Sequence, residues 1–122
     1  MIRNIGQIAL LVDDIEKAIA FYREKLKLAF LFSAPPKLAF FEAGGVRLML
    51  SEPEGEGRKP GNSTIYFSVD DIDATYRELE QASVDIVGRP QVIAKLGGLD
   101  LWMFFIRDAS GNLLGLMQEK AP

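Results

Sequence analysis

The 122-residue chain is predicted to be an α+β protein of two tandem βαβββ units, forming a curved, cup-like mixed sheet with helices on its outer face. Three observations predict this. Val12-Asp13-Asp14-Ile15 recurs as Val69-Asp70-Asp71-Ile72, an amphipathic helical stretch follows each copy, and three strand-like runs follow each helix. The halves span about 1–51 and 62–122, with a polar Gly/Pro-rich connector at 52–61. One domain of this length buries an ordinary core without staples.

The first strand, IGQIALLV at 5–12, alternates faces, so Ile8, Leu10 and Val12 go under a helix while Gln7, Ala9 and Leu11 face the cup. Asp13-Asp14 is a helix-start signal, because a short carboxylate accepts from free amides there. In IEKAIAFYREKLKL, helical spacing groups Ile15, Ala18, Ile19, Tyr22 and Leu26 on the buried face. Strand-like runs at 28–33, 37–43 and 46–51 follow, divided by Pro35-Pro36 and by a tight turn at Gly44-Gly45.

The order then restarts. TIYFSV at 64–69 sends Ile65, Phe67 and Val69 under its helix and Thr64, Tyr66 and Ser68 inward. IDATYRELEQA groups Ile72, Thr75, Tyr76 and Leu79, and strands are expected at about 84–93, 100–107 and 113–118. Aligning Gly44-Gly45-Val46 with Gly111-Asn112-Leu113 makes Leu48 and Leu50 partners of Gly115 and Met117 at the cup.

Composition narrows the chemistry. Apolar residues make up 48% and charged residues 25%, an ordinary globular balance. A formal net charge of -3 offers no basic field for nucleic acid or an acidic membrane. The absence of cysteine removes disulfides, thiolate nucleophiles and thiolate metal sites. The absence of histidine removes imidazole bases and imidazole ligands. The N-terminal run soon reaches Asp13 and Asp14 and no stretch approaches membrane-spanning length, so no signal peptide and a cytoplasmic location are expected.

Three segments in order, IALLVDDIEKAIAFYREKL at 8–26, IYFSVDDIDATYREL at 65–79 and FIRDASGNLLGLMQ at 105–118, resemble the vicinal oxygen chelate superfamily. That superfamily includes glyoxalases, bleomycin-resistance and fosfomycin-resistance proteins and extradiol dioxygenases. The resemblance implies a small-molecule site, a lyase (lactoylglutathione lyase-like) or dioxygenase activity where a metal is held, and a homodimer. Metal ligands in such proteins come from the first and last strands of each half, matching Gln7, Leu48, Thr64 and Gly115 here. Leucine and glycine offer no side-chain donor, and glutamine and threonine are weak neutral ones. The expected cofactor is therefore none; the alternative is a divalent metal held by displaced carboxylates such as Glu42, Asp100 or Glu119.

The aromatic residues suggest an apolar pocket instead. Its expected lining is Gln7, Leu48, Leu50, Thr64, Tyr66, Ser68, Trp102, Phe104, Gly115 and Met117. Gly115 either leaves room for a ligand or marks a simple packing gap. Alternation puts Trp102, Phe104 and Ile106 on one face, with the choice of face open. The serines have no histidine partner, and Gly97-Gly98 lacks the strand-to-helix setting of a phosphate loop. Asp108 and Asn112 are expected to shape a turn. The acidic balance would suit a cationic ligand.

Overall fold

The computed structural model describes residues 1, 3–34, 37–53 and 63–122, apart from the side chain of Leu96. The expected break at Pro35-Pro36 and most of the connector lie outside the described residues. The elements run β1 (Gln7–Leu11), α1 (Ile15–Ala20), β2 (Ala29–Ala34), β3 (Leu38–Ala43) and β4 (Val46–Ser51), then β5 (Ile65–Ser68), α2 (Ile72–Gln81), β6 (Asp85–Leu96), β7 (Leu99–Arg107) and β8 (Leu113–Lys120). The chain divides into two compact units, Met1–Asn62 with Ala109–Gly111, and Ser63–Asp108 with Asn112–Pro122. Each is a βαβββ unit, as the repeated sequence predicts.

The first sheet has the order β1-β4-β3-β2 and the second β5-β8-β7-β6. In each, the first and last strands pair in parallel, with Leu10 opposite Leu50 and Phe67 opposite Leu116. The other pairs are antiparallel. Gly44 and Gly45 both have positive φ, 61° and 91°, which the tight β3–β4 turn requires and glycine adopts without a Cβ penalty.

One helix packs on each sheet. Ile15, Ala18, Phe21 and Tyr22 meet Leu10, Ala39, Phe41, Leu48 and Leu50 in the first core. Burying side chains of this kind stabilises by roughly 1.5–3 kcal/mol apiece. Tyr22 and Phe41 lie with ring centroids 6.0 Å apart. The second core joins Ile72 and Leu79 to Phe104, Ile106, Leu114 and Leu116, with Tyr76 edge-on to Phe104 at 5.3 Å.

Both helices start in the same way. Asp14 Oδ1 accepts from the Lys17 amide at 3.2 Å, and Asp71 Oδ1 from the Ala74 amide at 3.0 Å. The residue at or just beyond the last paired position of the neighbouring strand completes the cap. Glu52 Oε2 accepts from the Ile15 amide and Gln118 Oε1 from the Ile72 amide, both at 2.9 Å. Orphan amides at a helix start are thus met from two directions in each unit.

The first helix departs from the expected α-helix over 15–28. After Ala20 it widens into a π turn at Phe21–Lys25, and the Leu26 amide donates to the Phe21 carbonyl at 3.2 Å. Within this wider turn the adjacent rings of Phe21 and Tyr22 are both buried. Ile19 and Leu26, expected in that stripe, are only partly buried.

Candidate ligand-binding faces

Strand pairing fixes which side chains share the face of each sheet opposite its helix. In the first sheet Gln7 pairs with Arg47, and Arg47 pairs with Glu42. Phe40 pairs with Met49 on one side and with Phe32 on the other. These six side chains share the open face.

Several of them interlock. Arg47 Nε donates to Gln7 Oε1 at 2.7 Å, and Gln7 Nε2 lies 3.8 Å from the Met49 sulfur. The guanidinium sits over the Phe40 ring, 5.6 Å from its centroid. Phe40 stacks on Phe32 at 4.5 Å, and Phe32 is 49% exposed. The result is an aromatic shelf with a positioned cation beside it.

In the second sheet Tyr66 pairs with Gly115, Ser68 with Met117, and Gly115 with Phe105. Tyr66 meets Phe105 edge-on at 5.9 Å and remains 48% exposed. A Cβ at position 115 would collide with the Tyr66 ring, standing 2.8 Å from Cε2 and 3.2 Å from Cγ. The space left by the missing side chain is therefore filled by Tyr66 and not left vacant. Thr64 is exposed just before β5.

Four expected lining residues sit elsewhere. Leu48 and Leu50 pair with Ile8 and Leu10 and are buried under α1. The expected alignment of β4 with β8 was one residue out of step: by strand pairing, Met49 and not Leu48 corresponds to Gly115. A slip of one residue transfers every side chain to the other face. Phe104 is buried against Tyr76 of α2. Trp102 pairs with Gln118, the residue that caps α2, and the Lys120 ammonium lies 4.8 Å from its ring centroid. Met103 and Phe105 therefore take the open face of β7, which answers the question of which side that strand presents.

Arg47 and its aromatic neighbours were missed by the sequence reading. A signal existed: Val46, Leu48 and Leu50 alternate with Arg47, Met49 and Ser51, and the polar members mark the face away from the helix.

The described residues at the matched positions do not fit a metal. Among the described residues no group of three Asp or Glu side chains is placed to hold an ion. Gln7 Oε1, the one donor at the matched position of β1, is engaged by Arg47, whose charge would oppose a cation there. Met49, which takes the place corresponding to Gly115, offers only a soft thioether, and Gly115 has no side-chain donor. Asp100 is bound to Lys95 at 2.6 Å. Glu42 and Glu119 are exposed on different sheets.

Asp108 and Asn112 do shape the turn before β8. Asp108 Oδ1 accepts from the Asn112 amide at 2.8 Å, and Oδ2 from Asn112 Nδ2 at 2.9 Å. At the turn's tip, Ser110 belongs with the first unit: its hydroxyl accepts from the Asp13 amide at 3.0 Å and donates to Asp13 Oδ1 at 2.8 Å. A separate open groove on the second unit is lined by Asp73, Tyr76, Arg77, Glu80, Arg89 and Pro90, with charges of both signs. No helix among the described residues is long and apolar enough to cross a membrane.

Comparison with known proteins agrees with this architecture. Metallothiol transferase FosB of Shouchella clausii is 30% identical over 120 residues, covering 93% of this chain and 79% of that protein. The uncharacterized protein YetH of Bacillus subtilis is 27% identical and spans 98% of this chain and all of its own length. A crystal structure from Sphaerobacter thermophilus, described as a member of the glyoxalase/bleomycin resistance protein/dioxygenase superfamily, superposes with a TM-score of 0.81 at 25% identity, covering 95% of this chain and 97% of the other. Residues 4–116 match the family described as the Glyoxalase/Bleomycin resistance protein/Dioxygenase superfamily. With its two βαβββ units and this match over most of its length, the chain belongs to the glyoxalase/bleomycin resistance protein/dioxygenase superfamily.

Proposed function

We propose that the chain binds a small, largely apolar or aromatic molecule on the open faces of its sheets, using organic side chains in place of a metal. The observation that carries this reading is the first open face. There Gln7 fixes the Arg47 guanidinium over Phe40, and Phe40 stacks on a half-exposed Phe32. Such a surface combines apolar area with a few directed polar groups, the usual makeup of a ligand site. On the second sheet Tyr66, Ser68, Gly115 and Met117 form the corresponding face, and Thr64 precedes it. A thermal-shift screen of neutral, cationic and anionic aromatic compounds, run with a chelator present, tests the proposal. Saturable stabilisation by at least one class is expected; no shift with any compound up to its solubility limit would sink it.

The similarity to a metallothiol transferase does not extend this proposal to that activity, because no donor set among the described residues suits a metal. A lyase or dioxygenase with displaced ligands draws no support from Asp100, which is committed to Lys95. The proposal includes a homodimer located in the cytoplasm. Exposed Leu31 on edge strand β2, and Val87, Val92 and Ile93 on edge strand β6, give apolar surface to cover. Sedimentation velocity should show a dimer; a monomer at all concentrations would remove that part.

A further inference from the structure

We infer that the open face of the first sheet selects a planar aromatic carboxylate and that Arg47 is its anchor, an inference that rests on the small-molecule reading above. An exposed arginine is ordinarily a mobile solvated charge. This one is held at two places. Its Nε is spent on Gln7 Oε1 at 2.7 Å, and its plane rests over Phe40. Gln7 is itself oriented, with its Nε2 toward the Met49 sulfur and its oxygen toward Arg47. The two terminal nitrogens keep their N–H groups, and this fork matches a carboxylate. Among the described residues no carboxylate forms an ion pair with Arg47. Ordering of the side chain has thus been met in the folded state and is not charged against binding.

The apolar half of the ligand follows from the neighbouring rings. Phe40 and Phe32 are stacked with planes 26° apart, and the outer ring is half exposed. A flat ring bonded to a carboxylate can extend along this shelf while its oxygens meet the guanidinium. Glu42 pairs with Arg47 across the strands and shares its face, so a doubly charged phosphate meets repulsion that a single carboxylate feels less. The recognised charge is local and opposes the net -3 of the chain. A cationic ligand, which the overall charge would suit, is disfavoured beside Arg47.

Isothermal titration with 2-naphthoate, 2-naphthamide, hexanoate and phenyl phosphate, on wild type, Arg47→Met and Arg47→Lys, tests the inference. Naphthoate should bind tightest to wild type. Arg47→Met should weaken naphthoate by about tenfold or more and leave naphthamide little changed, with Arg47→Lys between, because a point charge lacks the planar fork. Arg47 is exposed, so each variant should fold, with circular dichroism as the check. Equal binding of naphthoate and naphthamide, or a naphthoate affinity indifferent to Arg47→Met, would overturn the inference while leaving the small-molecule reading intact. No binding of any of the four probes also overturns it; the wider compound screen then judges the broader reading separately.

Discussion

Gly115 and Tyr66 face each other across the parallel pair of β5 and β8, and their fit is a close one. Gly115→Ala should lower stability by about 1–3 kcal/mol, the usual cost of forcing an extra methyl into occupied space. In a Tyr66→Ala background the same change should cost less, since the obstructing ring is gone; denaturant midpoints of the four proteins measure that coupling. Asp108 and Asn112 make a second test at this scale. Asn112 is fully buried, and Asp108 accepts from both its amide and its side chain. Asp108→Ala should cost about 1–3 kcal/mol by leaving these donors without that acceptor, read from the same midpoints. The turn role of this pair was readable from sequence, because both residue types satisfy nearby backbone. The Tyr66 ring over Gly115 was not, because no local pattern says which cross-strand neighbour fills a glycine's space.

At the scale of elements, the two helix starts are equivalent and should respond alike. Asp14→Ala and Asp71→Ala should each lower stability by about 1 kcal/mol, in line with loss of a capping side chain. Gln118→Leu should add a further loss by removing the acceptor of the Ile72 amide, whereas a change at the exposed Glu119 should be nearly neutral. Thermal unfolding of the single variants checks both statements. Strand and helix positions followed from periodicity, and the Asp-Asp signals marked both caps. The face of β4 did not follow, since two glycine-containing turns were aligned and the repeat there is one residue out of step, whereas Gly115 and Met117 of β8 do share the open face with Tyr66 and Ser68. Parallel pairing with β1 and β5 sets the true register, and such pairing is non-local. The π turn was equally hidden, because no local pattern marks it and the rings it carries, Phe21 and Tyr22, are buried in a core completed by later residues.

For the whole molecule, the duplicated architecture and the superfamily were readable because each unit repeats its cap signals and its strand count in the same order. The candidate site was only half readable. Alternation correctly sent Gln7, Tyr66 and Ser68 to the open faces, but Leu48, Leu50, Trp102 and Phe104 lie on the helix-bearing faces, and Arg47 emerged only from three-dimensional pairing. The proposed site uses hydrogen bonds, a guanidinium and aromatic rings in place of an ion. Elemental analysis of untagged protein tests this most directly, after purification without a nickel column or chelator and incubation with manganese, iron, nickel and zinc. Metal far below one equivalent per chain, after removal of unbound ions, is the predicted result. One tightly held equivalent would contradict the metal-free reading and turn attention to Glu42 and Glu119 as ligands.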